Sequence, residues 1–244
     1  MRMRKALLAV ALLMLALPCR PQVPASEKRI HVLFVGNSFT YVNDLPRIVS
    51  AMSRADGGGG PRVDCRMVAF PGFSLEDHWK RGDARRAIEE QPWDFVILQQ
   101  GPSASEDGLE VLVEYASRFA PLIRKAGARV AFYMPWPSGD RKQDFPGVSA
   151  SYRQAARVTQ GLVLPAGEAW EKALRRDAKL ELYGPDNLHP TNEGSYLAAL
   201  VVYAGLTGRS VANMPATLPL GAEGKIEIPE KDAPILREAA AEVR

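Results

Sequence analysis

The sequence predicts an α/β protein organised around a parallel β-sheet. Two observations carry that expectation. Short, nearly continuous apolar runs rich in β-branched residues, such as Ile30 to Val35, read as strands buried on both faces. Helical segments with an apolar stripe, or apolar all round, alternate with them along the chain, which is the pattern of a doubly wound sheet.

The elements follow in order. Ile30 to Val35 is the first strand and stops at Gly36. Asn43 or Asp44 then caps a helix that carries Pro46 in its first turn, and Leu45, Ile48, Val49 and Met52 give it one apolar stripe. Asp56 and the glycine run Gly57 to Gly60 close it as a turn. Arg62 to Val68 alternates, with Val63, Cys65 and Met67 on one side and Arg62, Asp64 and Arg66 on the other, as a half-exposed edge strand does. Asp94 to Leu98 is the next buried strand. A long helix is expected over Glu106 to Lys125, with Leu112, Tyr115, Phe119 and Leu122 inward and Gly127 as its stop. Val130 to Met134 and Leu162 to Leu164 are the fourth and fifth strands. Thr191 to Thr207 is a helix apolar on nearly every side, hence heavily buried, and Gly208 ends it. The tail after Met214, with a short strand near Ile226 and a helix from about Ala233, is expected to pack on the outside without chemistry.

Composition narrows the classes. The 244 residues are 46% hydrophobic and 24% charged, which fits a globular protein and excludes a disordered chain, a collagen and a coiled coil. The formal charge of +3 is concentrated at the start: Arg2, Arg4, Lys5 and Arg20 face no acid in the first 25 residues. Without them 27 bases stand against 28 acids, so no basic face for nucleic acid is evident.

That first segment reads as a secretory signal. A basic start to Lys5 precedes twelve apolar residues from Ala6 to Leu17, then Pro18, then Val23-Pro24-Ala25 as a cleavage site before Ser26. Twelve helical residues span about 18 Å, short of the roughly 30 Å hydrocarbon core, so no stable membrane span is expected. Lipid anchoring through Cys19 is disfavoured because Pro18, not a small residue, precedes it. The expectation is a leader over residues 1–25, one domain over residues 26–244, and a secreted or periplasmic location. Loss of Cys19 leaves Cys65 alone, so no internal disulfide is available.

Chemistry in such sheets gathers at the carboxyl ends of the strands. After the first strand comes Gly36-Asn37-Ser38-Phe39-Thr40. After the second comes Phe70-Pro71-Gly72-Phe73-Ser74, and after the third Gln99-Gln100-Gly101-Pro102-Ser103. Asp186-Asn187-Leu188-His189-Pro190-Thr191 precedes the last core helix. A serine hydroxyl needs a base, and the chain holds three histidines. His31 begins a buried strand and reads as structural. His78 sits in a polar stretch with Glu76 and Asp77 and reads as a surface residue. His189 has Asp186 three positions earlier, close enough for a carboxylate to fix its tautomer. Ser38, His189 and Asp186 are therefore the candidate nucleophile, acid/base and orienting carboxylate.

These motifs resemble the SGNH/GDSL hydrolases: Gly36-Asn37-Ser38-Phe39-Thr40 early, a lone glycine after the second strand, and Asp-x-x-His-Pro late. The resemblance spans about Ile30 to Gly208. It implies a flavodoxin-like, three-layer α/β/α sandwich with a five-stranded parallel sheet, and a serine that attacks ester carbonyls. It also implies an oxyanion hole built from the Ser38 N–H, the Gly72 N–H and an Asn side chain. The Asn does not carry over, because Gly101-Pro102-Ser103-Ala104 stands where the family has Gly-x-Asn-Asp. Gln100, Ser103 or Gln99 is left to supply the third donor.

No Gly-x-Ser-x-Gly elbow occurs, and no Gly-Lys-Ser or Gly-Lys-Thr follows the glycine run, so neither an α/β-hydrolase elbow nor a phosphate loop is present. Three histidines and one remaining cysteine show no metal-ligand spacing, and no cofactor is expected. The favoured function is an exported esterase that removes short acyl groups, acetyl above all, from a carbohydrate or another small ester. A lysophospholipase or thioesterase working on longer chains is the rival, and a non-catalytic module that keeps the fold is a third reading. Phe39, Tyr41, Phe70, Phe73, Trp79 and Trp136 are candidates for stacking on sugar rings, with core packing as their other reading.

Overall fold

A computed structural model describes residues 28–243. The expected leader and Cys19 lie outside these residues. The elements run β1 (Arg29–Gly36), α1 (Ser38–Tyr41), α2 (Leu45–Ala55), β2 (Arg62–Ala69), α3 (Leu75–Arg81), α4 (Asp83–Glu90), β3 (Phe95–Leu98) and α5 (Glu106–Lys125). They continue with β4 (Arg129–Tyr133), α6 (Phe145–Thr159), β5 (Leu162–Leu164), α7 (Ala166–Arg176), α8 (Asn192–Thr207), β6 (Thr217–Pro219), β7 (Lys225–Glu227) and α9 (Ala233–Ala241).

Five strands form a parallel sheet in the order β2-β1-β3-β4-β5, the flavodoxin-like winding. Successive side chains of a strand point to opposite faces, and β1 divides its apolar residues accordingly. Ile30, Val32 and Phe34 join the core layer beneath α2, α7, α8 and α9, whereas Leu33 and Val35 join the layer beneath α3, α4, α5 and α6. The three-layer sandwich is thus written into one alternating strand. The order reverses at β1, whose neighbours β2 and β3 are reached by crossovers in opposite directions along the sheet. Gly36 pairs with Ala69 and Val35 with Leu98, so the carboxyl ends of these three strands lie level.

Local rules account for the expected helices. Asp44 caps α2 by accepting the Arg47 N–H, with Pro46 in the first turn, where its missing N–H costs nothing. Thr191 caps α8 by accepting the Gly194 N–H, and Gly208 ends it at φ 70°. The helix between them is buried on nearly every side, packed by α2, α7 and α9. Full burial of each Leu or Val contributes about 1.5–3 kcal/mol, so this helix anchors the layer.

Four details differ from the sequence-based expectation. Met67, placed inward by alternation, is 40% exposed, because at the open edge of the sheet little packs over the end of β2. Leu122 is only half-buried; its neighbour Ile123 takes the core position. The helices α4, α6 and α7 are not among the expected elements, although Ala166, Ala169, Trp170 and Ala173 lay an apolar stripe along α7; α6 begins without a side-chain cap. His78 is buried, not a surface residue: α3 turns it inward, where its Nε2 bonds the Gly36 carbonyl at 2.7 Å between Phe70 and Phe73. The tail packs outside the sheet as expected, β6 against β7 and α9 over α7 and α8.

Candidate active site

Ser38 follows β1 by two residues and opens the single-turn helix α1. Asn37 caps that turn through its side-chain oxygen, which accepts the Phe39 N–H at 3.2 Å. The first N–H groups of a helix have no internal partner, and the Ser38 N–H is one of these. Gly72 sits in the turn after β2 at φ 68°, a left-handed conformation that costs a glycine little. Ser38, Gly72, Gln100, Ser103 and His189 all line one open cleft of about 550 Å³ at the carboxyl ends of β1, β2 and β3. The topology therefore gathers residues more than 150 positions apart into one concavity.

The Asp186–His189 spacing has a local cause. Asp186 Oδ1 accepts the N–H groups of Leu188 at 3.1 Å and His189 at 2.9 Å, wrapping the loop around the carboxylate. Asn187 takes φ 57° to make this turn, and its N–H reaches the Gly184 carbonyl. The other carboxylate oxygen, Oδ2, then meets His189 Nδ1 in a short hydrogen bond. That bond, with the two backbone N–H groups, holds the Asp186 carboxyl down to about 2. With Nδ1 engaged, Nε2 is left as the acceptor nitrogen; it is shielded from water and has no hydrogen-bond partner among the described residues.

The donors expected from the third strand are already in use. Gln100 donates to the Ser103 hydroxyl at 2.8 Å and to the Gly108 carbonyl at 3.2 Å, and accepts the Leu75 N–H. Ser103 donates to the Gly101 carbonyl. Gln99 donates to Asn37 Oδ1 at 2.8 Å and to the Gln100 carbonyl at 2.6 Å. Each amide has two donor protons and each hydroxyl one, so none of the three offers a free proton to the cleft. Gln100 and Ser103 line it, while Gln99 lies wholly beneath.

Of the aromatic candidates, Phe39, Tyr41 and Phe73 reach the cleft. Trp136 is fully buried, stacked on Trp170 at 3.5 Å, and Trp79 packs edge-on to Phe119 on the other layer. Among the described residues no group of three or more His, Cys, Asp or Glu is placed to hold a metal, and no helix is long and apolar enough to cross a membrane. Cys65 is free.

Comparison with solved structures settles the architecture. A protein assigned to the SGNH hydrolases, from Slackia heliotrinireducens, superposes with a TM-score of 0.63 at 23% identity over 73% of this chain and 99% of its own. The fold is that of the SGNH hydrolases. A DUF4886 family protein from Bacteroides uniformis matches over 87% of this chain and 93% of its own, with a TM-score of 0.69 and 20% identity. An acetylxylan esterase from Geobacillus stearothermophilus matches over 73% of this chain and 93% of its own, at 0.51 and 14%. No protein-family model matches the chain, and no curated protein does.

Proposed function

We propose that this protein is an exported serine esterase that removes short acyl groups, acetyl above all, from a carbohydrate or another small ester. One observation carries the reading: a histidine with Nδ1 tied to a carboxylate and Nε2 unpartnered shares a cleft with a serine that opens a helical turn. Ser38 Oγ attacks the ester carbonyl while His189 Nε2 takes its proton, and Asp186 steadies the imidazolium that forms. His189 then returns the proton to the leaving alkoxide, leaving an acyl-Ser38 ester. Water, deprotonated by the same nitrogen, hydrolyses it. The N–H groups of Ser38 and Gly72, which have no protein acceptor among the described residues, receive the oxyanion.

The SGNH-hydrolase fold of the neighbours and the acetylxylan esterase among them support ester hydrolysis with a small acyl group. The open shape of the cleft supports a substrate whose bulk stays outside. Export rests on the N-terminal signal pattern. A series of p-nitrophenyl esters from two to sixteen carbons tests the reading. Turnover is expected to be highest at two to four carbons and to vanish in Ser38→Ala. Activity retained in Ser38→Ala removes the mechanism, and a preference for the long chains moves the assignment to a lysophospholipase or thioesterase.

A further inference from the structure

We propose that Gln99 is a positioning residue that sets the oxyanion-binding N–H groups of Ser38 and Gly72 through the side chain of Asn37. The proposal rests on the serine-esterase reading above. Gln99 is fully buried at the end of β3. Its Oε1 accepts the Asn37 N–H at 2.9 Å and the Thr40 hydroxyl at 2.8 Å, and its Nε2 donates to Asn37 Oδ1 and the Gln100 carbonyl. Every capacity of the amide is filled.

Asn37 spans the two halves of the proposed hole. Its Oδ1 also accepts the Phe39 N–H, which shapes the turn that carries Ser38. Its Nδ2 donates to the Phe73 carbonyl at 3.0 Å, one residue beyond Gly72. One side chain thus ties the Ser38 turn to the Gly72 loop, beside the bonds that the Gly36 carbonyl accepts from the Phe70 N–H and makes with His78 Nε2. An amide fits its site in two orientations. Flipped, Asn37 would set its NH2 against both the Phe39 N–H and the Gln99 NH2, and its oxygen against the Phe73 carbonyl. Gln99, the Phe39 N–H and the Phe73 carbonyl together oppose that flip, and Gln99 is itself held because its oxygen already faces two donors. Glycine at position 36 makes the arrangement possible, since a Cβ there would overlap both Gln99 Oε1 and Thr40 Oγ1.

Buried amides are costly unless fully bonded, and an apolar residue would fill the same space at the end of a buried strand. What the amide adds is orientation. Oxyanion donors act at 2.7–3.1 Å from the developing charge, and a misplacement of about 1 Å can cost about 10²-fold in rate.

The test compares wild type with Gln99→Met, Gln99→Glu and Asn37→Asp. Rates are taken per active site titrated by a fluorophosphonate, and the ¹⁵N–¹H resonances of Ser38 and Gly72 are followed. Gln99→Met is expected to lose about 10²-fold in kcat with KM changed less than about threefold, and to shift both resonances. Asn37→Asp keeps the cap on Phe39 but loses the donor to Phe73, so the same kinetic split is expected with the larger shift at Gly72. Gln99→Glu regains one donor to Asn37 Oδ1 when its carboxyl is protonated, so its activity relative to wild type is expected to rise as pH falls. A Gln99→Met enzyme with lowered melting temperature but unchanged kcat overturns the proposal, as does Gln99→Glu no better than Gln99→Met at any pH. If Gln99→Met does not fold, the other two variants decide. Wild type that cleaves no ester and takes up no fluorophosphonate removes the esterase reading; unmoved Ser38 and Gly72 resonances in the variants remove the positioning role separately.

Discussion

The indole of Trp136 touches both arms of the proposed site: its N–H donates to the Leu188 carbonyl at 3.1 Å, and its ring meets Phe39 edge-on at 5.4 Å. Leu188 precedes His189 and Phe39 follows Ser38, so one buried ring supports both loops. Trp136→Phe keeps an aromatic ring and removes the donor. The expected loss is about 1–2 kcal/mol of stability from the unpaired carbonyl, measured by urea denaturation, with kcat falling as the His189 loop loosens. Unchanged kcat would show that the loop is held from elsewhere.

Asp186→Asn should cut kcat by about 10²–10⁴-fold, because the amide favours the wrong imidazole tautomer. Its stability effect has a defined pH window. The folded carboxyl sits near 2, below the ordinary value of about 3.9. Its contribution is thus present above about pH 4 and fades as pH falls toward 2. Asp186 is half-exposed, so the effect is modest. The melting-temperature gap between wild type and Asp186→Asn is expected to close over that interval; a gap of constant size would refute the linkage.

His78 adds a second acid sensitivity of the same sign, at higher pH. Burial, partly offset by the Gly36 carbonyl and by Asp77 and Asp83, lowers its pKa below the ordinary 6.5. Its Nδ1 is buried with no hydrogen-bond partner among the described residues. The unfolded chain therefore binds the proton first, and stability present above about pH 6.5 declines as pH falls below it. His78→Gln places an amide N–H toward the Gly36 carbonyl without a titrating ring. The prediction is a flatter dependence of the urea midpoint between pH 7 and 5 in His78→Gln than in wild type.

Gly36 and Gly72 separate steric from conformational demands. Gly36→Ala meets Gln99 and Thr40 directly and is expected to cost about 1–3 kcal/mol as overpacking, with a fall in kcat as the Asn37 turn shifts. Gly72→Ala finds open space but holds φ at 68°, so about 1–2 kcal/mol of backbone strain is expected. Equal stability losses with no kinetic effect of Gly36→Ala would argue against the crowding at the end of β1.

Much of this architecture is written locally. An apolar strand such as Val32 to Val35 has both faces to bury, and that alone calls for helices on either side of a parallel sheet. The gathering of Ser38, Gly72 and His189 at one cleft follows because strand ends meet at one edge of such a sheet, and the Asp186–His189 loop closes on itself through backbone N–H groups. His78 misled because polar neighbours at Glu76 and Asp77 say nothing about the inward face of a short helix.

The third-strand glutamines mark the boundary between the two kinds of information. Order along the chain places Gln99, Gln100 and Ser103 at the site, and their chemistry makes each of them a possible donor. The glutamine oxygens are taken by donors 25 to 62 positions away, on Leu75, Asn37 and Thr40, and one Gln99 proton goes to Asn37 Oδ1, partners that meet the glutamines only once the sheet is assembled. The other protons are spent on Gln100, Gly101, Ser103 and Gly108 nearby. Short-range pattern dictates strands, turns and the Asp–His loop; hydrogen-bond allocation is a property of the packed interior, because a buried donor can be spent only once.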